Sequence, residues 1–320
     1  MQKFKKQFIF LFSTLAVFSY LSFRYFPKEE AKPVLSVKED ENYVQVYLLD
    51  EESTLVPLNI PINEKISDEE KIQLMVEYMS GKQKIKGFTP VFTSECKVPK
   101  VQFKDDTINI DFDNSLKNYR KENELRVLES LTWGALQIPT VKKVVLSMNS
   151  KRIQQMPLNG TPIPNELNKK IGINQFETAV SSLHQSSNVI VYCEKDINGK
   201  HYIIPKSKRI EKQSDQIKED ITQIVSDISV SSQLIQPIYM EQIEIQKCEF
   251  KDGILTVDFN KNILSSDKSL KKDVYDCLIL SLSMIDGVEK IKVSVDGVSV
   301  MPSRNDCVKV CDLIYNKINF

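Results

Sequence analysis

Two stretches decide the fold: Ile108-Asn109-Ile110-Asp111-Phe112 and, 147 residues further on, Leu255-Thr256-Val257-Asp258-Phe259. In each, apolar residues alternate with polar ones, the period of a strand with one face on a core. Asp105-Asp106 precedes the first stretch and Asp252-Gly253 the second, so each strand follows a hairpin turn; Val101-Gln102-Phe103 supplies the partner of the first. Downstream, Val141-Lys-Lys-Val-Val-Leu-Ser-Met148 and Val288-Glu-Lys-Ile-Lys-Val-Ser-Val295 stand the same 147 residues apart and read as closing strands. A helix is expected between, from about Asn123 to Leu136, with Leu125, Leu128, Leu131, Thr132 and Ala135 inward. Ser281-Leu282-Ser283 then aligns with Ser130-Leu131-Thr132 after a small gap.

Working outward, Val44–Leu48 and Leu55–Ile60 flank the turn-like Asp50-Glu51-Glu52-Ser53 and predict another hairpin. Ser67-Asp68-Glu69-Glu70 is a capping box, which satisfies free amides at a helix start. Ile72, Met75, Val76 and Met79 follow as one apolar stripe, and Gly81 is a helix stop. In the second half, Asn188–Tyr192 resembles Asn42–Tyr47, and Ile217, Ile221, Ile224, Val225 and Ile228 supply the matching helix. The order strand, strand, helix, strand, strand, helix, strand therefore occurs twice. That is a tandem duplication, its period being far too long for a solenoid. The expected fold class is α+β: two tandem copies of a small mixed sheet with two helices packed on it. The expected domains are residues 42–160 and 186–320, joined by a connector, 161–185, that opens with Thr161-Pro162-Ile163-Pro164.

Before residue 42, Lys3, Lys5 and Lys6 precede an uncharged run, Gln7 to Phe23, closed by Arg24. A helix of that length spans about 25 Å, at the short end for a bilayer crossing. The basic N-terminal side places everything after it outside the cell by the positive-inside rule. Residues 1–26 are thus expected to be an N-terminal transmembrane helix, a signal anchor. Phe23-Arg24-Tyr25-Phe26 makes a poor cleavage site, and no cysteine before Cys96 can carry a lipid. Residues 27–41, charged and with two prolines, read as a linker. The localisation this implies is the cell membrane, single-pass, with the C-terminal domains extracytoplasmic.

Of the 320 residues, 43 are Lys or Arg and 43 Asp or Glu, a net charge of zero that argues against nucleic acid as a partner. With nine glycines and no glycine-rich phosphate loop, no nucleotide is expected. The six cysteines leave free thiols or one or two bridges open, and Cys307-x-x-x-Cys311 lacks two further ligands for zinc. Asp111 and Asp113 share a strand face, as paired catalytic or calcium-binding carboxylates do, but Asn260 stands where the second copy of Asp113 would be. A solvated or turn-supporting role is the plainer reading. Trp133 reads as core before interface anchor. The serines around His184 lack the sharp turn of a hydrolase nucleophile. The basic runs Lys82–Lys86 and Lys206–Arg209 read as solvated faces before lipid or wall contacts. No catalytic, cofactor-binding or metal-binding residue is assigned, and no cofactor is expected.

The ordered set resembles the GerM domain of sporulation and spore germination proteins. The residues that carry the likeness are Val46-Tyr47-Leu48, Leu55-Val56-Pro57, Tyr78-Met79-Ser80-Gly81, Ile108–Phe112, Leu128–Thr132 and Val293-Ser-Val295-Asp296-Gly297. The chain departs from the family in lacking a glycine matching Gly81 in its second copy and a lipobox cysteine. The resemblance implies a non-enzymatic assembly protein of spore-forming bacteria, part of an oligomeric complex spanning the envelope between mother cell and forespore. It implies self-association or association with other sporulation envelope proteins. A peptidoglycan or envelope-polymer binding module is the alternative.

Overall fold

A computed structural model describes residues 36–37, 42–175, 186–232, 242–300 and 307–318. The short strand β1 (Ser36–Val37) leads into the first repeat, whose hairpin is β2 (Asn42–Leu49) and β3 (Leu55–Ile62). Helix α1 (Asp68–Met79) follows, begun by the predicted capping box: the Ser67 hydroxyl accepts from the Glu70 amide, and the Glu70 carboxylate accepts from the Ser67 amide. Strands β4 (Lys100–Lys104) and β5 (Thr107–Phe112), helix α2 (Glu124–Ala135) and strands β6 (Lys143–Met148) and β7 (Lys151–Arg152) complete the repeat. β5 and β6 pair in parallel through α2, which buries Val127, Leu128, Leu131 and Trp133; β4 and β7 flank them antiparallel. Ile108, Ile110 and Phe112 are buried as the alternation requires, each contributing about 1.5–3 kcal/mol relative to exposure.

The second repeat has the hairpin β8 (Ser186–Ile197) and β9 (Lys200–Glu211), helix α3 (Gln216–Ser232) and strands β10 (Ile245–Lys251) and β11 (Ile254–Phe259). Helix α4 (Lys272–Leu282), β12 (Lys290–Val295), β13 (Val298–Ser299), β14 (Val308–Lys309) and β15 (Leu313–Ile314) follow. The central sheets match residue for residue: Thr107 faces Lys143 in one and Ile254 faces Lys290 in the other. The duplicated α+β units of the sequence reading are present.

Several expectations change. The small gap expected at the second helix is absent, and the 147-residue offset of the strands runs through it. Leu136 closes α2 on Thr132 and Ser283 closes α4 on Ile279; Ile138 then bonds back to Ala135 as Ile285 does to Leu282. Ser281 therefore occupies the place of Gly134, not of Ser130. Leu125 is 42% exposed, because the inner face of α2 turns toward Glu124 and Leu128 instead. Residues 161–175, read as connector, lie on the first repeat: Leu167 bridges to Val144, and Ile173 and Asn174 are buried. The rest of the connector, with His184, Ser181 and Ser182, lies outside the described residues.

The single-pass membrane localisation is corrected. No helix among the described residues is long and apolar enough to cross a membrane, so an anchor with extracytoplasmic domains has no support. The segment 1–26 that prompted it lies outside the described residues.

Candidate functional site

The candidate carboxylates and Trp133 each have a structural partner. Asp111 accepts from the Ser150 amide (2.9 Å) and hydroxyl (3.1 Å), pinning the turn between β6 and β7. Asp258 does the same in the second repeat, accepting from the Gly297 amide at 3.0 Å and the Ser294 hydroxyl at 2.5 Å. Asp113 caps a short 3-10 turn by accepting from the Ser115 amide. Those bonds to Ser115, with Lys97 3.2 Å away, hold its carboxyl down at about 2. Asn260 caps the matching turn through Asn262, so Asp and Asn serve one purpose there. Trp133 is core: it is buried edge-on to Tyr47, and its Nε1 donates to the Gly172 carbonyl.

The basic runs differ. Lys82, Lys84 and Lys86 are exposed around a buried Ile85. Lys206–Arg209 falls inside β9, where Ser207 is buried and Lys208 pairs with Asp227 at 2.9 Å. The repeated order of elements calls for this strand without assigning residues to it, although Asn198-Gly199 marks the turn before it. Both residues take positive φ (54° and 77°), the type I′ turn that Asn-Gly favours.

One polar constellation was not legible as a pattern. Glu124 is 1% exposed, and its carboxylate accepts from the amides of Leu158, Asn159 and Thr161 and from the Tyr119 hydroxyl. Burial alone would raise its pKa, but the bonds from Thr161, Tyr119 and Asn159 outweigh it and hold it at about 2. This carboxylate anchors a loop. Among the described residues no group of three or more His, Cys, Asp or Glu could hold a metal ion.

A buried polar feature joins the two hairpins. Asn174, from the tail of the first repeat, accepts from the Leu55 amide (2.8 Å) and donates to the carbonyls of Leu55 (2.8 Å) and Pro205 (3.0 Å). Asn316, from the tail of the second, accepts from the Ile203 amide (2.9 Å) and donates to the carbonyls of Ile203 (2.7 Å) and Pro57 (2.8 Å). Leu55 and Ile203, and likewise Pro57 and Pro205, hold matching places, since Tyr47 pairs with Pro57 and Tyr192 with Pro205. Each asparagine thus ties β3 to β9, and the two are related by a local two-fold. Both sit at positive φ (48° and 49°), which asparagine tolerates better than most residues. The tails also cross: Ser207 exchanges bonds with Ile173, and Asn59 with Tyr315, Asn316 and Ile318. Lys195 adds an ion pair across the joint, 2.6 Å from Asp50 and 2.7 Å from Glu52, and Phe88 packs edge-on to Tyr202.

The comparisons with known proteins agree with this duplicated architecture. The sequence profile of a family described as Germane, sporulation and spore germination, matches residues 45–154 and again 190–300. The spore germination protein GerM of Bacillus subtilis (strain 168) is 28% identical over 268 residues, covering 80% of this chain and 72% of that protein. The solved structure of the tandem GerMN domains of the sporulation protein GerM from Bacillus subtilis superposes with a TM-score of 0.71 at 26% identity. That match covers 84% of this chain and 97% of the other. The chain belongs to the Germane family of sporulation and spore germination proteins and carries tandem GerM domains.

Proposed function

We propose that the chain is a non-enzymatic subunit of a multiprotein assembly used in sporulation and spore germination, and that its two domains act as one building block. The observation that carries this reading is the crossed joint of Asn174 and Asn316, which holds the hairpins of both repeats in one fixed relation. A building block of an ordered assembly needs surfaces at a set angle, and preorganisation lowers the entropy cost of association. The carboxylates weighed for chemistry, Asp111 and Asp113, and the buried Glu124 are bound to main-chain amides, where they serve turns and loops. The relatives' printed roles in sporulation and germination support the same biological setting.

Light scattering on the purified full chain tests the reading, alone and with other sporulation proteins over a concentration series. Discrete higher-order species or defined complexes are expected. A monomer under every condition that instead pellets with purified peptidoglycan would replace assembly by wall-polymer binding.

A further inference from the structure

The second repeat holds an open cleft of about 470 Å³ between β8, α3, the end of α4 and the tail of the first repeat. That volume lies in the usual range of ligand sites, about 300–1,000 Å³. The first repeat shows how the same place can be filled. There Met75 packs so close to Gly134 that an added Cβ would lie 2.2 Å from its sulfur. Gln137 then covers the free edge of β2: its side-chain oxygen accepts from the Gln45 amide (2.8 Å) and its nitrogen donates to the Gln45 carbonyl (2.9 Å). A carboxamide bonded to both main-chain groups of one strand residue imitates a neighbouring strand.

In the second repeat the place of Met75 is taken by Ile224, that of Gly134 by Ser281 and that of Gln137 by Met284, all of which line the cleft. Met284 brings no amide to the edge of β8. The orientation of that edge follows from its pairing. Ser207, opposite Ile190, donates its amide away from β8 to Ile173, so this is a non-hydrogen-bonded pair and the Ile190 amide and carbonyl point outward. Tyr192, two residues on, faces the same way and donates its amide to the Ser281 hydroxyl. Asn188 and Ile190 therefore turn their main-chain groups into the cleft. Around it stand Lys169, Lys170, Arg209 and Lys212 against Asp220 and Asp286, an excess of positive charge. The Lys169 ammonium is held 5.4 Å from the Trp133 ring centre, and the buried Ser187 hydroxyl has no hydrogen-bond partner among the described residues.

We propose that this cleft receives an extended acidic peptide segment of a partner protein, which adds to the edge of β8 at Asn188 and Ile190 and turns carboxylates toward Lys169, Arg209 and Lys212. Main-chain bonds to a sheet edge give such complexes affinity, and side-chain contacts give selectivity. The inference deepens the assembly reading, on which it rests, by naming the chemistry of one partner surface.

The probe is a fluorescent hexapeptide of alternating Val and Glu, with a Val–Lys hexapeptide and an N-methylated Val–Glu hexapeptide as controls. Anisotropy is read on the full chain at low and moderate salt. The Val–Glu peptide is expected to bind, weakening with salt, and both controls to bind at least about tenfold more weakly. Met284→Gln supplies the amide that Gln137 supplies in the first repeat and is expected to weaken binding about tenfold with the melting temperature unchanged or raised. Arg209→Glu is a second variant, expected to weaken binding and flatten its salt dependence. No Val–Glu binding at millimolar peptide overturns the proposal, as does equal binding by the Val–Lys peptide or by both variants. A chain that binds no peptide yet forms discrete assemblies refutes the cleft alone. One that binds the peptide but stays monomeric with every partner refutes the assembly reading alone.

Discussion

The two repeats share one hydrogen-bonded frame and differ in what fills it. The registers of β4 on β5 and of β5 on β6 recur in β10, β11 and β12, and both frames bury alternating residues on one face. The fillings diverge. Gln137 caps the edge of β2, while Met284, in the same place, brings no amide to that of β8. Buried Glu124 gathers a loop in the first repeat, whereas exposed Lys271 precedes the helix of the second. Five residues, 50–54, join β2 to β3, while Asn198-Gly199 alone joins β8 to β9. A further match survives the divergence: α2 buries Glu129 beside Arg126 (2.7 Å), and α4 buries Asp276 beside Lys272 (2.8 Å). Main-chain pairing sets the positions in this fold, and side-chain chemistry at each position can then change without moving the strands.

The strongest way to break the symmetry of the pair is at the joint. Asn174→Ala and Asn316→Ala each strand a buried amide and two carbonyls and put alanine at positive φ. Each is expected to cost about 3–4 kcal/mol. The double variant is expected to turn one calorimetric transition into two, one per repeat. A single sharp transition with an unchanged midpoint would mean that the asparagines do not couple the repeats.

Next in size is the carboxylate that only the first repeat has. Glu124→Ala leaves the Leu158, Asn159 and Thr161 amides without their acceptor, an expected loss of roughly 3 kcal/mol by urea midpoint at pH 7. Its folded pKa, about 2, is below the ordinary 4.5, so the contribution is present above about pH 4.5 and lost as pH falls toward 2. The wild-type minus Glu124→Gln stability difference should shrink across that window. A difference independent of pH would assign the effect to packing.

The smallest expected effect compares two equivalent helix positions. Gly134→Ala pushes a methyl into Met75 and should cost about 1–3 kcal/mol. Ser281→Ala removes the acceptor of the Tyr192 amide and the hydroxyl's own bond to the Cys277 carbonyl, and should cost about 1 kcal/mol. Equal costs would contradict the tighter filling of the Gly134 place, and urea unfolding of both variants decides it.

The frame is legible in the sequence. The alternation in Ile108–Phe112 and Leu255–Phe259, the capping box at Ser67 and the 147-residue repeat are local or periodic signals. They follow from side-chain direction along a strand or helix and need no distant partner. Tertiary structure decided the rest. Lys200–Glu211 is rich in charge and contains Pro205, so its composition hides a strand that becomes evident once β8 pairs with it. Leu125 sits on the edge of an apolar stripe, and only the packing of α2 shows it turned outward. Asn174 and Asn316 look like any loop asparagine in a sequence. They reach Leu55 and Pro57, 119 and 259 residues away, because chain folding brings each tail across both hairpins. A contact of that separation leaves no periodic trace, since its partners are chosen by the closed fold and not by neighbours along the chain.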